Sequence, residues 1–140
     1  MNKKILLIDD DEDEQWIFTE ALKEISSSIK CLYACTAKEG LELSKQSPPD
    51  YIFIDINMPL LNGLQCLELI KSDDRIKVTP VIIYSTGINN TIIYAAVTKG
   101  AFACIKKENT IKDLAENSTY YGLKIHRFKI QLTESHLNLL

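Results

Sequence analysis

The sequence predicts an α/β domain built on a parallel sheet with helices on both faces. Two observations carry this. Short runs that are apolar at every position recur at residues 5–8, 51–54 and 81–84 of the 140-residue chain, the pattern of strands covered on both sides. Between them lie longer stretches whose apolar residues repeat at helical spacing. Strand and helix in alternation imply parallel strands joined by right-handed crossovers.

Ile5-Leu6-Leu7-Ile8 is the first strand. Residues 12–25 follow as a helix, with Ile17, Phe18, Ala21, Leu22 and Ile25 on one face and Ser26-Ser27-Ser28 at its end. Residues 29–34 form a second, less regular strand placed nearer an edge. Thr36 stands as N-cap of a helix over 38–45, which Ser47-Pro48-Pro49 terminates. The third strand runs from Tyr51 to Asp55. A loop over 58–63, containing Pro59 and Gly63, leads into a helix with Leu64, Leu67 and Ile70 in register. Pro80 introduces the fourth strand, Val81-Ile82-Ile83-Tyr84. A helix over 90–99 is closed by Gly100, the residue type that favours that position. Residues 101–105 are the fifth strand, Lys106-Lys107 close it, and Thr110 begins a last helix.

The alternation fades after Tyr121. We therefore expect one domain over residues 1–121 and a C-terminal extension over 122–140. The apolar residues of that extension suit a further helix or an amphipathic segment, and it is too short for an independent domain.

Composition narrows the class. The apolar content of 46% supports a real core, and a net charge of −3 leaves no basic footprint for nucleic acid. No apolar stretch approaches the length that spans a bilayer, so membrane insertion is not expected. Met1-Asn2-Lys3-Lys4 precedes only a short run ended by Asp9, which does not fit a signal peptide. The four cysteines (Cys31, Cys35, Cys66, Cys104) lie in or beside apolar segments, as buried thiols do in a reducing cytosol, and a cytoplasmic location is expected. Cys31 and Cys35 lack a CxxC spacing, and His126 and His136 lie far off, so no zinc site is expected.

The chemistry sits at strand ends. Asp9-Asp10 follows the first strand, Asp55 ends the third, Ser85-Thr86 follows the fourth and Lys106-Lys107 the fifth. The carboxyl ends of parallel strands are where open α/β sheets bind ligands. Asp9, Asp10 and Asp55 brought together would repel unless a cation shared the space. Hard oxygen ligands with room for water suit Mg²⁺, and a lysine with a small hydroxyl would complete a phosphoryl site. Asp55 would then serve as nucleophile and form an aspartyl phosphate. The acidic run over 9–14 also imitates a calcium loop, with Asp9, Asp11, Asp13 and Glu20 at the required spacing. Glu14 stands where that loop needs glycine, and a strand precedes it, so the calcium reading is rejected. Asp11 to Glu14 read as a solvated helix start.

These residues resemble the receiver domain of two-component response regulators, of the stand-alone chemotaxis-regulator kind. The resemblance rests on Ile8-Asp9-Asp10, on Asp55-Ile56-Asn57-Met58-Pro59 with Asn62-Gly63, on Tyr84-Ser85, and on Gly100-Ala101 followed by Lys107. It covers roughly residues 3–121. It implies a flavodoxin-like, five-stranded parallel sheet of order 2-1-3-4-5. It implies phosphorylation of Asp55 by a sensor histidine kinase or a histidine phosphotransfer protein. Asp10, Asp55 and the Asn57 backbone carbonyl would bind Mg²⁺ directly, with Asp9 acting through a coordinated water. Ser85 holds the switch position, Lys107 rather than Lys106 matches the family lysine, and Asn57 and Gly87 lie where the family tunes autodephosphorylation. A monomer or weak dimer signalling to an unknown downstream protein is expected, not a metabolic enzyme.

Three positions depart from the family pattern. Glu108 replaces the proline that usually follows the lysine and is expected to give that loop a different shape. Cys104 stands where a Tyr or Phe normally couples phosphorylation to the surface, with Phe102 and Tyr84 as nearby substitutes. Thr86 replaces a usual Ala and narrows access to the phosphoryl group. The altered positions motivate an alternative, a pseudo-receiver that binds its partner constitutively without phosphorylation. An aspartyl-intermediate hydrolase ranks below both, because Asn57 stands where such enzymes carry a second acid.

Overall fold

A computed structural model describes residues 3–107 and a short strand at 120–121. In chain order the elements are β1 (Lys4–Ile8), α1 (Glu12–Ile25), β2 (Lys30–Ala34), α2 (Ala37–Gln46), β3 (Tyr51–Ile54), α3 (Gly63–Ser72), β4 (Val81–Ser85), α4 (Asn90–Thr98), β5 (Ala103–Lys106) and β6 (Tyr120–Tyr121). The first five strands are parallel, in order β2-β1-β3-β4-β5, the flavodoxin-like order that the resemblance implies. The sheet has a sixth strand where five are expected. β6 pairs antiparallel with β5, Cys104 opposite Tyr121 and Ile105 opposite Tyr120. The helix expected from Thr110, the altered position Glu108 and the extension over 122–140 lie outside the described residues.

The fully apolar runs behave as their pattern requires. Each strand sends alternate side chains to opposite faces, so Leu6, Ile8, Ile52, Ile54, Val81 and Ile83 pack beneath α2, α3 and α4. Ile5, Leu7, Phe53, Ile82 and Tyr84 pack on the other face against Phe18, Ala21 and Leu22 of α1. Phe18 meets Phe53 edge-on at 5.0 Å between ring centroids, a favoured aromatic geometry. β2, placed near an edge from its irregular pattern, is an edge strand, and Lys30 is exposed on it.

Capping residues set the helix starts. Asp11, Thr36, Asn62 and Asn89 each accept a backbone N–H from the first turn, and Asn62 with Gln65 completes a capping box. The fifth strand starts two residues later than expected, at Ala103. Gly100 takes φ +99°, and the Gly100 and Ala101 amides donate to the carbonyls of Val97 and Ala96. Both residues therefore belong to the turn that ends α4.

Candidate functional site

The parallel sheet delivers its chemistry to one edge. Asp9 directly follows β1 and donates its N–H to the Ala34 carbonyl at 3.0 Å. Asp55 directly follows β3 and is tied to β1 through the Ile8 carbonyl, also at 3.0 Å. Ser85 is the last residue of β4, and the Lys107 amide donates to its carbonyl at 3.1 Å. The ladder thus continues one residue past the strands and holds the site backbone in register. Asp9, Asp55 and Ser85 are buried, and Asp10 is exposed.

Carboxylate oxygens of Asp9, Asp10 and Asp55 lie within 4.8 Å of one another. The Lys107 ammonium donates to Asp9 Oδ2 at 2.5 Å and stands 3.8 Å from Asp55 Oδ2. Ser85 Oγ donates to Asp55 Oδ1 at 2.7 Å. Lys107 Nζ also lies 5.5 Å from the centre of the Tyr84 ring. Burial pushes the Asp9 carboxyl above its ordinary value, against the opposing pull of Lys107 and the Asp11 N–H. For Lys107, burial favours the neutral amine, but the Asp9 carboxylate outweighs it and holds the ammonium charged. Three acids face one lysine, so the set carries uncompensated negative charge. Hard oxygen donors in that state fit a divalent cation such as Mg²⁺.

The sequence-derived candidates divide. Asp9, Asp10, Asp55, Ser85 and Lys107 come together. Asn57 is exposed on the loop after Asp55, and a β-carbon placed on Gly87 would lie 3.4 Å from Asn57 Nδ2, so the two loops adjoin. Thr86 is exposed just beyond β4. Cys104 is fully buried beneath the α2–α4 layer, and burial pushes its thiol up to about 11. Tyr84 and Phe102 pack with the α1-side cluster instead. Neither therefore replaces the missing aromatic on the face that Cys104 occupies, which corrects the substitution expected above. Trp16 is 69% exposed on α1.

Three features of the site have no clear sign in the sequence. The Tyr33 phenol donates to the Asp9 backbone carbonyl at 2.7 Å. Glu14 is half-buried instead of solvated like the acids before it, and burial raises its carboxyl. Gly63 lies so close beneath the site that a β-carbon there would sit 2.3 Å from the Asp55 carbonyl oxygen. Asn62-Gly63 marks a turn by residue type alone, but the close approach depends on the fold.

A strand-end acid cluster, a hydroxyl and a lysine on this sheet define a class. The chain belongs to the response regulator receiver domain family, whose profile matches residues 5–118. It is similar to the protein PilH of Pseudomonas aeruginosa, 34% identical over 83 residues, a stretch that spans 59% of this chain and 67% of that one. It is also similar to the polar-differentiation response regulator DivK of Brucella anthropi, 28% identical over 59% of this chain and 65% of the relative. The matched stretches thus span about two thirds of these relatives' length. Among solved structures, the chemotaxis protein CheY4 of Vibrio cholerae superposes with a TM-score of 0.75 at 20% identity, covering 81% of this chain and 93% of that one. Proteins of this family act in two-component signalling and not as metabolic enzymes, and receiver domains typically bind Mg²⁺ at an acidic pocket. Among the described residues no helix is long and apolar enough to cross a membrane.

Proposed function

We propose that this chain works as a stand-alone receiver, phosphorylated on Asp55 in a Mg²⁺-dependent reaction by a histidine kinase or histidine phosphotransfer protein. The observation that carries the reading is the convergence of Asp9, Asp10, Asp55, Ser85 and Lys107 from four strand ends. Asp10, Asp55 and the Asn57 backbone carbonyl would hold Mg²⁺, with Asp9 acting through a coordinated water. Bound there, the cation would neutralise charge on the acids and on the incoming phosphoryl group.

An Asp55 carboxylate oxygen attacks the phosphorus of a phosphohistidine. The phosphorus–nitrogen bond breaks, the imidazole leaves with its electron pair and takes up a proton, and an acyl phosphate remains on Asp55. Ser85 already donates to Asp55 Oδ1, so its hydroxyl stands within reach of the phosphoryl oxygens. Lys107 lies between Asp9 and Asp55 and exchanges a carboxylate partner for a phosphoryl oxygen. Thr86 borders the entrance. These exchanges favour one of two surface conformations by population shift, and an unidentified downstream protein reads the difference. With Cys104 in place of an aromatic, the shift passes through the Ser85 and Lys107 loops without a rotating ring. The protein acts in the cytoplasm as a monomer or weak dimer.

Intact-mass spectrometry after incubation with Mg²⁺ and acetyl phosphate tests this. One phosphoryl adduct is expected on the wild type, and none on Asp55→Asn or without Mg²⁺. Absence of both an adduct and Mg²⁺-dependent beryllofluoride binding would replace this reading with that of a pseudo-receiver.

A further inference from the structure

Tyr33 lies on the edge strand β2, opposite Leu7 of β1. β2 holds the Asp9 backbone from both sides: Ala34 accepts the Asp9 N–H at 3.0 Å, and the Tyr33 phenol donates to the Asp9 carbonyl at 2.7 Å. That carbonyl and the Asp10 N–H belong to one rigid, planar peptide unit. Fixing the oxygen therefore fixes the plane from which Asp10 departs. The Asp9 carboxylate has its own anchors in Lys107 and the Asp11 N–H. The Asp10 carboxylate is exposed and has no hydrogen-bond partner among the described residues, so its place in the cluster depends on the backbone alone.

We infer that Tyr33 is a positioning residue for the cation site, setting the Asp9–Asp10 turn so that Asp10 meets Asp9 and Asp55 at coordinating distance. The inference rests on the cation-binding reading above. Hydrogen bonds behind a metal site typically contribute tenfold or more to affinity. Mg²⁺ demands near-octahedral geometry, whereas Ca²⁺ tolerates a displaced oxygen. The signature of a positioning role is therefore lost selectivity for Mg²⁺ over Ca²⁺, which a general loss of stability would not produce.

Calorimetric titration of the full chain with Mg²⁺ and with Ca²⁺ decides it, comparing wild type, Tyr33→Phe and Asp10→Asn. Phenylalanine keeps the ring packing on the α1-side cluster, so Tyr33→Phe is expected to fold, with circular dichroism as the check. Mg²⁺ affinity should fall about tenfold in Tyr33→Phe, with Ca²⁺ affinity falling much less. Unchanged Mg²⁺ affinity, or equal loss for both cations, overturns the positioning role while leaving the cation site intact. If the wild type binds no Mg²⁺, the cation reading itself fails and this inference falls with it.

Discussion

The two ends of the sheet hold the same residue types in different surroundings. At the amino end, Lys4 opens β1 and Asp50 precedes β3. The Lys4 amide donates to Asp50 Oδ2, its ammonium donates to Ser47 Oγ, and the Asp50 amide donates to the Lys4 carbonyl, each at 2.7 Å. At the carboxyl end Asp9 follows β1, Asp55 follows β3, and Lys107 and Ser85 reach them at similar distances. Lysine, aspartate and serine appear in both places. The amino-end aspartate is exposed, whereas Asp9 is fully buried and Asp55 nearly so. Helix ends differ as well: α2 ends at Gln46 with Ser47 as its C-cap near the amino edge, while α1, α2, α3 and α4 all begin beyond the carboxyl edge. Helix N-termini favour anions, and low dielectric strengthens every charge interaction. Composition alone does not make a site, and the direction of the chain through the sheet does.

Replacing the lysine at each end should separate them most. Lys107→Met leaves Asp9 buried without its cation beside Asp55, and removing one partner of a buried pair costs about 3 kcal/mol. Lys4→Met removes a part-buried hydrogen bond to Ser47 Oγ and should cost about 1 kcal/mol. Urea unfolding in EDTA measures both. Adding Mg²⁺ should recover part of the Lys107→Met loss and none of the Lys4→Met loss. Equal costs at the two ends would remove the contrast.

Two backbone positions in the chain that follows Asp55 come next. In Gly63→Ala the new β-carbon would sit 2.3 Å from the Asp55 carbonyl oxygen and 2.8 Å from Ile56 Cα, so backbone must move. Overpacking of this kind costs about 2 kcal/mol, and it displaces Asp55 itself. A lower unfolding midpoint together with slower phosphorylation is expected, and an unchanged rate would show that the Asp55 backbone can shift freely. Leu60, on the same loop, has φ +68° with its side chain 97% exposed. A left-handed conformation costs a bulky residue about 1 kcal/mol, and asparagine tolerates it. Leu60→Asn should therefore raise stability by up to about 1 kcal/mol, and a fall would mean that the leucine makes a stabilising contact.

Much of this was legible because strand ends in a parallel sheet share an edge. Once the apolar runs at Ile5, Tyr51 and Val81 and the segment 101–105 are read as parallel strands, Asp9, Asp55, Ser85 and Lys107 must lie on one side, whatever the helices do. What escaped depends on contacts that leave no local pattern. Tyr33 looks like an ordinary strand aromatic, and a hydrogen bond to a backbone carbonyl leaves no mark on the residue that accepts it. The two-residue β6 is too short for periodicity and exists by pairing with β5. Phe102 lies only two residues before Cys104, but β5 begins at Ala103, so strand alternation does not reach back to it and the two pack on opposite faces.

A third charged group, at the C-terminal cap of α3, gives the smallest effect. Asp73, the residue that ends α3, accepts hydrogen bonds from Arg75 Nε at 3.1 Å, from an Arg75 terminal nitrogen at 3.0 Å and from the Arg75 amide at 2.9 Å. Lys45 of α2 stands 3.3 Å away. The Arg75 guanidinium and amide hold the Asp73 carboxyl well below the usual carboxylate range. Because its pKa is depressed on folding, Asp73 contributes stability that is fully present above its unfolded value, near 3.8, and is lost as pH falls through the folded one. Asp73→Asn removes that contribution, so the variant should unfold more easily than wild type at pH 6. The difference should narrow as pH falls below 4. Arg75 is largely exposed, so the difference at pH 6 should also shrink in 0.5 M salt, as solvated pairs do. The Lys107 contribution, enclosed with Asp9, should change far less. Unfolding midpoints at the two pH values and two salt concentrations make that comparison, and a salt-insensitive Asp73 would place it with the buried edge instead of the solvated one.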